Sequence, residues 1–113
     1  MFLLYLKTEW NDFFTENPTH IQQKEFGTRQ TPSDTSVHVS NCLFRSITSS
    51  SAGGALSCDT SVTCLLVESS SFFTCKTSSG DGGAINFYNT NSGQCVLNKV
   101  CGFDCSTPST GQF

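Results

Sequence analysis

Apolar and polar residues alternate in three short runs that return along the chain. Leu56-Ser57-Cys58 is matched by Ile85-Asn86-Phe87, and Cys64-Leu65-Leu66 by Cys95-Val96-Leu97. Phe73-Thr74-Cys75 is matched by Phe44-Arg45-Ser46 and by Phe103-Asp104-Cys105. Alternation over a few residues is the pattern of a half-buried strand. Asp59-Thr60-Ser61, Glu68-Ser69-Ser70 and the serine-rich stretches before each glycine pair are good turn chemistry and separate the runs.

The punctuation of this repeat is a glycine pair. Gly82-Gly83-Ala84-Ile85 follows Gly53-Gly54-Ala55-Leu56 at an offset of 29 (83 − 54). Two glycines before Ala and an aliphatic residue mark a place where the backbone turns as no Cβ would permit and then enters a strand. Phe44 and Phe73 keep the same offset, and Phe103 follows Phe73 at an offset of 30 (103 − 73). Three strands and three turns per period predict an all-β fold, a right-handed parallel β-helix (three-sided solenoid) of about 2–3 coils, with equivalent residues stacked ~4.8 Å apart. The inward columns expected are Leu56/Ile85, Cys58/Phe87, Val39/Leu66/Leu97, Val37/Cys64/Cys95, Phe44/Phe73/Phe103, Ser46/Cys75/Cys105 and Cys42/Ser71/Cys101. Cys64 with Cys95, and Cys75 with Cys105, are thus expected as stacked thiols.

Phe73, a short polar linker and then Gly82-Gly83-Ala84-Ile85 resemble the paired Phe-x-x-Asn and Gly-Gly-Ala-Ile motifs of chlamydial polymorphic outer-membrane protein repeats, and more closely the Ser/Thr/Cys-rich versions in surface proteins of parasitic protists. The likeness covers roughly residues 37 to 106. The asparagine position is Ile47, Lys76 and Ser106 here, so it implies no inward asparagine ladder. The resemblance implies a right-handed parallel β-helix, an extracellular or cell-surface location, and a role in adhesion or surface display.

Two flanks frame the repeats. Phe2, Leu6, Trp10 and Phe13/Phe14 recur at helical spacing and predict an amphipathic helix ending at Asn17-Pro18 that caps an open solenoid end. Thr19 through Ser36 is polar and without period, which predicts a linker. The expected domains are therefore 1–35, a cap and linker, and 36–113, a partial β-helix. A third glycine pair falls due at 113 (83 + 30), so the last coil is expected to be incomplete and further coils of the same protein are expected partners. The N-terminal apolar run lacks the length and cleavage site of a signal peptide, and no stretch approaches the ~20 apolar residues of a membrane span.

Composition narrows the chemistry. The net charge is −3 and only 13% of residues are charged. The six basic residues Lys7, Lys24, Arg29, Arg45, Lys76 and Lys99 are scattered, so no nucleic-acid face is expected. Seven cysteines are compatible with an oxidising compartment, a metal site or buried small apolar side chains; the odd count excludes a closed intrachain disulfide set, and stacked core thiols are the expectation. Zinc would need Cys-x-x-Cys knuckles; Cys101 and Cys105 lie four strand positions, ~13 Å, apart. His20 sits in the polar linker and His38 points outward between Val37 and Val39, so both are expected to face solvent. Asp59, Glu68, Asp81 and Asp104 do not converge, hence no catalytic residue, metal or cofactor is assigned. Two function classes remain: a non-catalytic structural and interaction segment of a surface protein, presenting Tyr88, Asn89, Asn91, Glu68 and Lys76 to a host or extracellular surface ligand, or a fragment of a pectate-lyase-like carbohydrate-active enzyme whose catalytic residues lie elsewhere.

Overall fold

A computed structural model describes residues 10–89 and 92–108. Among these residues eight strands follow a single 3-10 turn at Trp10–Asp12: β1 (Thr19–Gln22), β2 (Glu25–Phe26), β3 (Ser36–Ser40), β4 (Leu43–Ser49), β5 (Leu56–Ser57), β6 (Cys64–Thr77), β7 (Ile85–Asn86) and β8 (Gln94–Phe103). All pairings between them are parallel. Six strands form one sheet in the order β1-β3-β6-β4-β2, with β8 on the other side of β6, and β5-β7 is a separate two-stranded sheet.

This corrects the expected architecture. The chain is all-β and its strands are parallel, but they form a half-barrel sheet rather than a three-sided solenoid. The physical reason lies in two corners. Gln23, Asn41, Ser69 and Lys99 occupy equivalent places on successive strands and all have φ between 49° and 55°; Ser46, Thr74 and Asp104 form a second such column with φ between 53° and 56°. Gln23 and Asn41 separate β1 from β2 and β3 from β4, whereas Ser69, Thr74 and Lys99 bend β6 and β8 without ending them, so two expected faces merge into one continuous curved sheet, with β6 running across both bends. The glycine segments yield only the two-residue strands β5 and β7, too short to build a third face of comparable size.

The predicted N-terminal helix is corrected as well. Among the described residues there is no α-helix; Trp10 starts one tight turn in which the Phe13 and Phe14 amides donate to its carbonyl oxygen. Asn, Asp and Thr at 11, 12 and 15 are poor helix formers, and Asn17-Pro18 halts any continuation. Phe2 and Leu6 lie outside the described residues. The expected linker Thr19–Ser36 contributes β1 and β2 to the sheet, and its Arg29 donates to the carbonyls of Ala52 and Gly53 at 2.9 and 3.0 Å.

Register is where pattern and structure part most clearly. Leu56 pairs with Ile85, keeping the offset of 29, but β3 and β4 pair with β6 at 28, and β6 pairs with β8 at 30. Three residues link Ser49 to Gly53, whereas four link Thr77 to Gly82, and that extra residue is absorbed at the corner. Because side chains alternate faces, a one-residue slip reverses a whole strand. The inner columns are accordingly Val37/Leu65/Cys95, Val39/Val67/Leu97 and Phe26/Phe44/Phe72/Gly102. Cys64 does not stack on Cys95: it pairs with Gln94, while Cys95 pairs with Leu65. Phe44 stacks on Phe72 with centroids 4.6 Å apart and planes 4° from parallel, and Phe26 stacks on Phe44 at 5.0 Å. Phe73 and Phe103 do stand in register, but outside the core, edge to face at 6.5 Å.

At the glycine corner the backbones touch. Gly82 has φ of 70°, and a Cβ there would run into the Ile85 carbonyl oxygen; one on Gly54 would run into the Gly83 carbonyl oxygen. Gly53 occupies the equivalent corner with φ of 73°. These contacts explain why the pair recurs: the amides of Gly53 and Gly54 donate to the carbonyls of Gly82 and Gly83 at 2.9 and 3.0 Å.

Candidate functional site

Two places on the sheet stand out: its outer face at β1 and β3, and its β8 edge. On the outer face, His20 and His38 are register partners, followed across the sheet by Leu66 and Val96. Trp10 and Phe14 pack on Leu66 there, with the Trp10 ring 5.8 Å from that of His38, and the Trp10 indole donates to the Glu16 carbonyl. The expectation of solvent-facing histidines is therefore corrected for His38: it points to the outer face as expected, but the N-terminal aromatics cover it, leaving 9% of its surface exposed. His20 stays exposed at the rim.

Glu68 completes this cluster. It is buried, pairs by backbone with Ser40, and turns its Oε2 to within 3.3 Å of His38 Nε2. On the other side of the ring, His38 Nδ1 stands 3.2 Å from His20 Nδ1. Burial lowers the His38 pKa below its usual value; the Glu68 carboxylate opposes that shift, and the His20 imidazole adds to it. An open cleft of about 310 Å³ lined by Trp10, Asn11, Asn17, Pro18, His20 and His38 gives the pair access to solvent. No pattern in the sequence marks the cluster, because its parts come from β1, β3 and β6, and only the register of the strands brings them together.

The second place is β8, ten residues long, which pairs with β6 and with no other described strand. It continues the inner columns through Cys95, Leu97, Val100 and Gly102, yet Leu97 is 49% and Phe103 69% exposed. Large apolar side chains on an open strand edge invite another strand.

The remaining sequence candidates are dispersed. All seven cysteines are free thiols. The Lys76–Ser106 bridge brings Cys105 next to Cys75, whose buried thiol is pushed up to about 12 by burial and then by Cys105; Cys58 is likewise raised to about 12, by burial and then by Cys95. The acidic groups serve local structure: Asp59 accepts from the Ser61 amide at 3.0 Å, which lowers its pKa, Asp104 lies 3.5 Å from Lys76, and Glu25 lies 2.6 Å from Arg45. Of the display candidates, Tyr88 is well exposed, Asn89 donates to the Thr60 and Val62 carbonyls, Glu68 is buried, and Asn91 lies outside the described residues. No described helix is long and apolar enough to cross a membrane.

No protein-family model, curated protein or solved structure matches this chain.

Proposed function

We propose that the chain is a non-catalytic structural and interaction module that works by sheet extension at β8, its partner there being a further repeat of the same protein. The observation that carries this reading is the β8 edge itself: a long strand, in register with the interior columns, that leaves Leu97 and Phe103 uncovered. A parallel strand added there would pair with the edge of the ladder and extend the columns that begin at Thr19, Ile21 and Phe26. The left-handed columns continue at Lys99 within β8 and at Asp104 immediately after it, so an incoming strand needs the same two bends, a requirement that selects its own repeat class.

Display on a cell surface, with adhesion as the outcome, rests on the likeness of Gly82-Gly83-Ala84-Ile85 to surface-protein repeats. Weak contacts repeated along an extended sheet would add through multivalency. Local engagement of Asp59, Asp104 and Glu25 favours this reading over a polysaccharide-cleaving one, which needs carboxylates converging on one sugar.

The test fuses a duplicate of residues 78–107 directly after Thr107, which occupies the place Thr77 holds one repeat earlier. The extended chain should melt at a higher temperature and bind less of a hydrophobic dye than the original. An unchanged melt would refute sheet extension. Turnover of acidic polysaccharide by either form, with or without calcium, would refute the non-catalytic assignment.

A further inference from the structure

We propose that His20 and His38 form a two-imidazole binding site for a divalent first-row transition metal ion such as nickel, copper or zinc. The argument starts from protons. A buried carboxylate facing His38 Nε2 at 3.3 Å, with neither atom having another hydrogen-bond partner, fixes the ring proton on Nε2. His38 Nδ1 then carries a bare lone pair, directed at His20 Nδ1 3.2 Å away. Either His20 donates a proton across that gap, or a cation takes the proton's place, seated to one side of the line joining the two nitrogens where a small turn of each ring brings both lone pairs onto it.

The dimensions suit the cation. Two nitrogens each about 2.1 Å from a tetrahedral ion stand about 3.4 Å apart, close to the separation found. The sheet holds this spacing, because the two residues are parallel-register partners on one face. Glu68 behind His38 reproduces the carboxylate–histidine–metal arrangement in which a second carboxylate orients the ligand and raises its basicity. Imidazole pairs favour nickel, copper and zinc over hard cations. Among the described residues no third His, Cys, Asp or Glu joins the two imidazoles as a ligand, so the other coordination positions fall to water or to the side chains of Asn11 and Asn17 lining the cleft. Such a site is exchangeable and open, unlike a closed structural zinc site.

The chain carries its own reporter. Trp10 is the only tryptophan, and its ring lies 5.8 Å from that of His38, close enough for a bound paramagnetic ion to quench its fluorescence. Titrating the full chain with nickel chloride at pH 7.5 should give saturable quenching at one equivalent, reversed by chelator and by acidification to pH 5.5. His20 is exposed, so His20→Gln and His20→Ala should keep the native circular dichroism and weaken binding at least tenfold. Cys64, the thiol packed against the Trp10 cluster, is the competing ligand, and Cys64→Ser should leave the titration unchanged. Absence of saturable quenching, wild-type affinity in both His20 variants, or loss of binding in Cys64→Ser would each overturn the assignment.

Discussion

The sheet has two very different ends. At one, β1 and β2 are four and two residues long, separated by Gln23 in a left-handed conformation, and flanked by Lys24 and Glu25, the latter paired with Arg45. At the other, β8 runs ten residues with one charge, Lys99, and exposes Leu97 and Phe103. Short strands and charges are devices by which sheets discourage further pairing. Both ends carry the left-handed bend, at Gln23 and at Lys99, but the first adds short strands and an ion pair while the second is long and carries a single charge. The same repeat can thus be closed or open according to a handful of edge residues, while the interior columns run from one end of the sheet to the other.

The largest effect expected is on those columns. Phe72 is fully buried between Phe44 and β8, whereas Phe26 stands at the half-buried closed end of the same column. Phe72→Ala should cost about 4 kcal/mol in urea unfolding, and Phe26→Ala less than half as much. Equal costs would erase the distinction between column centre and column end. Next comes the corner, where Gly82 is set at positive φ against the Ile85 carbonyl. Gly82→Ala should lose about 3 kcal/mol, measurable in the same way.

These two positions show how much was legible in the sequence. The glycine corner was, because Gly82-Gly83-Ala84 answers a backbone demand that no other residue type meets, and Leu56 does lie opposite Ile85. Strand registers were not. An extra residue between Thr77 and Gly82 shifts β6 relative to the glycine offset and exchanges Phe73 for Phe72 in the core; a second extra residue, seven between Asn86 and Gln94 against six between Ser57 and Cys64, sets Cys64 opposite Gln94 rather than Cys95. The bends were also invisible, because Ser69, Thr74 and Lys99 are not residues that announce positive φ. Nor could alternation alone reveal that the face bearing His38 is covered, since the cover comes from Trp10 and Phe14, far away in sequence.

Smaller effects sharpen the contrast further. Thr74 is a β-branched residue held at positive φ in the second bend. Thr74→Gly should stabilise the fold by up to about 1 kcal/mol, the strain released exceeding the added chain entropy. A loss of stability would argue against strain at that bend. His38 tests the covered face, because burial lowers its folded pKa. Below an unfolded pKa of about 6.5 the unfolded chain therefore binds the proton first. Stability should fall as pH drops from that value toward the lower folded pKa, and His38→Gln should flatten the profile within that window. At the open edge, Leu97 and Phe103 are exposed. Leu97→Lys and Phe103→Lys should change unfolding free energy by no more than about 0.5 kcal/mol, as surface substitutions do. Both should nonetheless abolish the gain from an added repeat.

Amide hydrogen exchange across residues 94–103, followed by mass spectrometry with and without the duplicated repeat fused after Thr107, addresses the open edge most directly. The amides of β8 that do not donate to β6 should exchange rapidly in the original chain and become protected in the extended one, with β1 and β2 unchanged in both. Equal exchange of β8 in the two forms would contradict the claim that this edge is where the molecule makes its contacts.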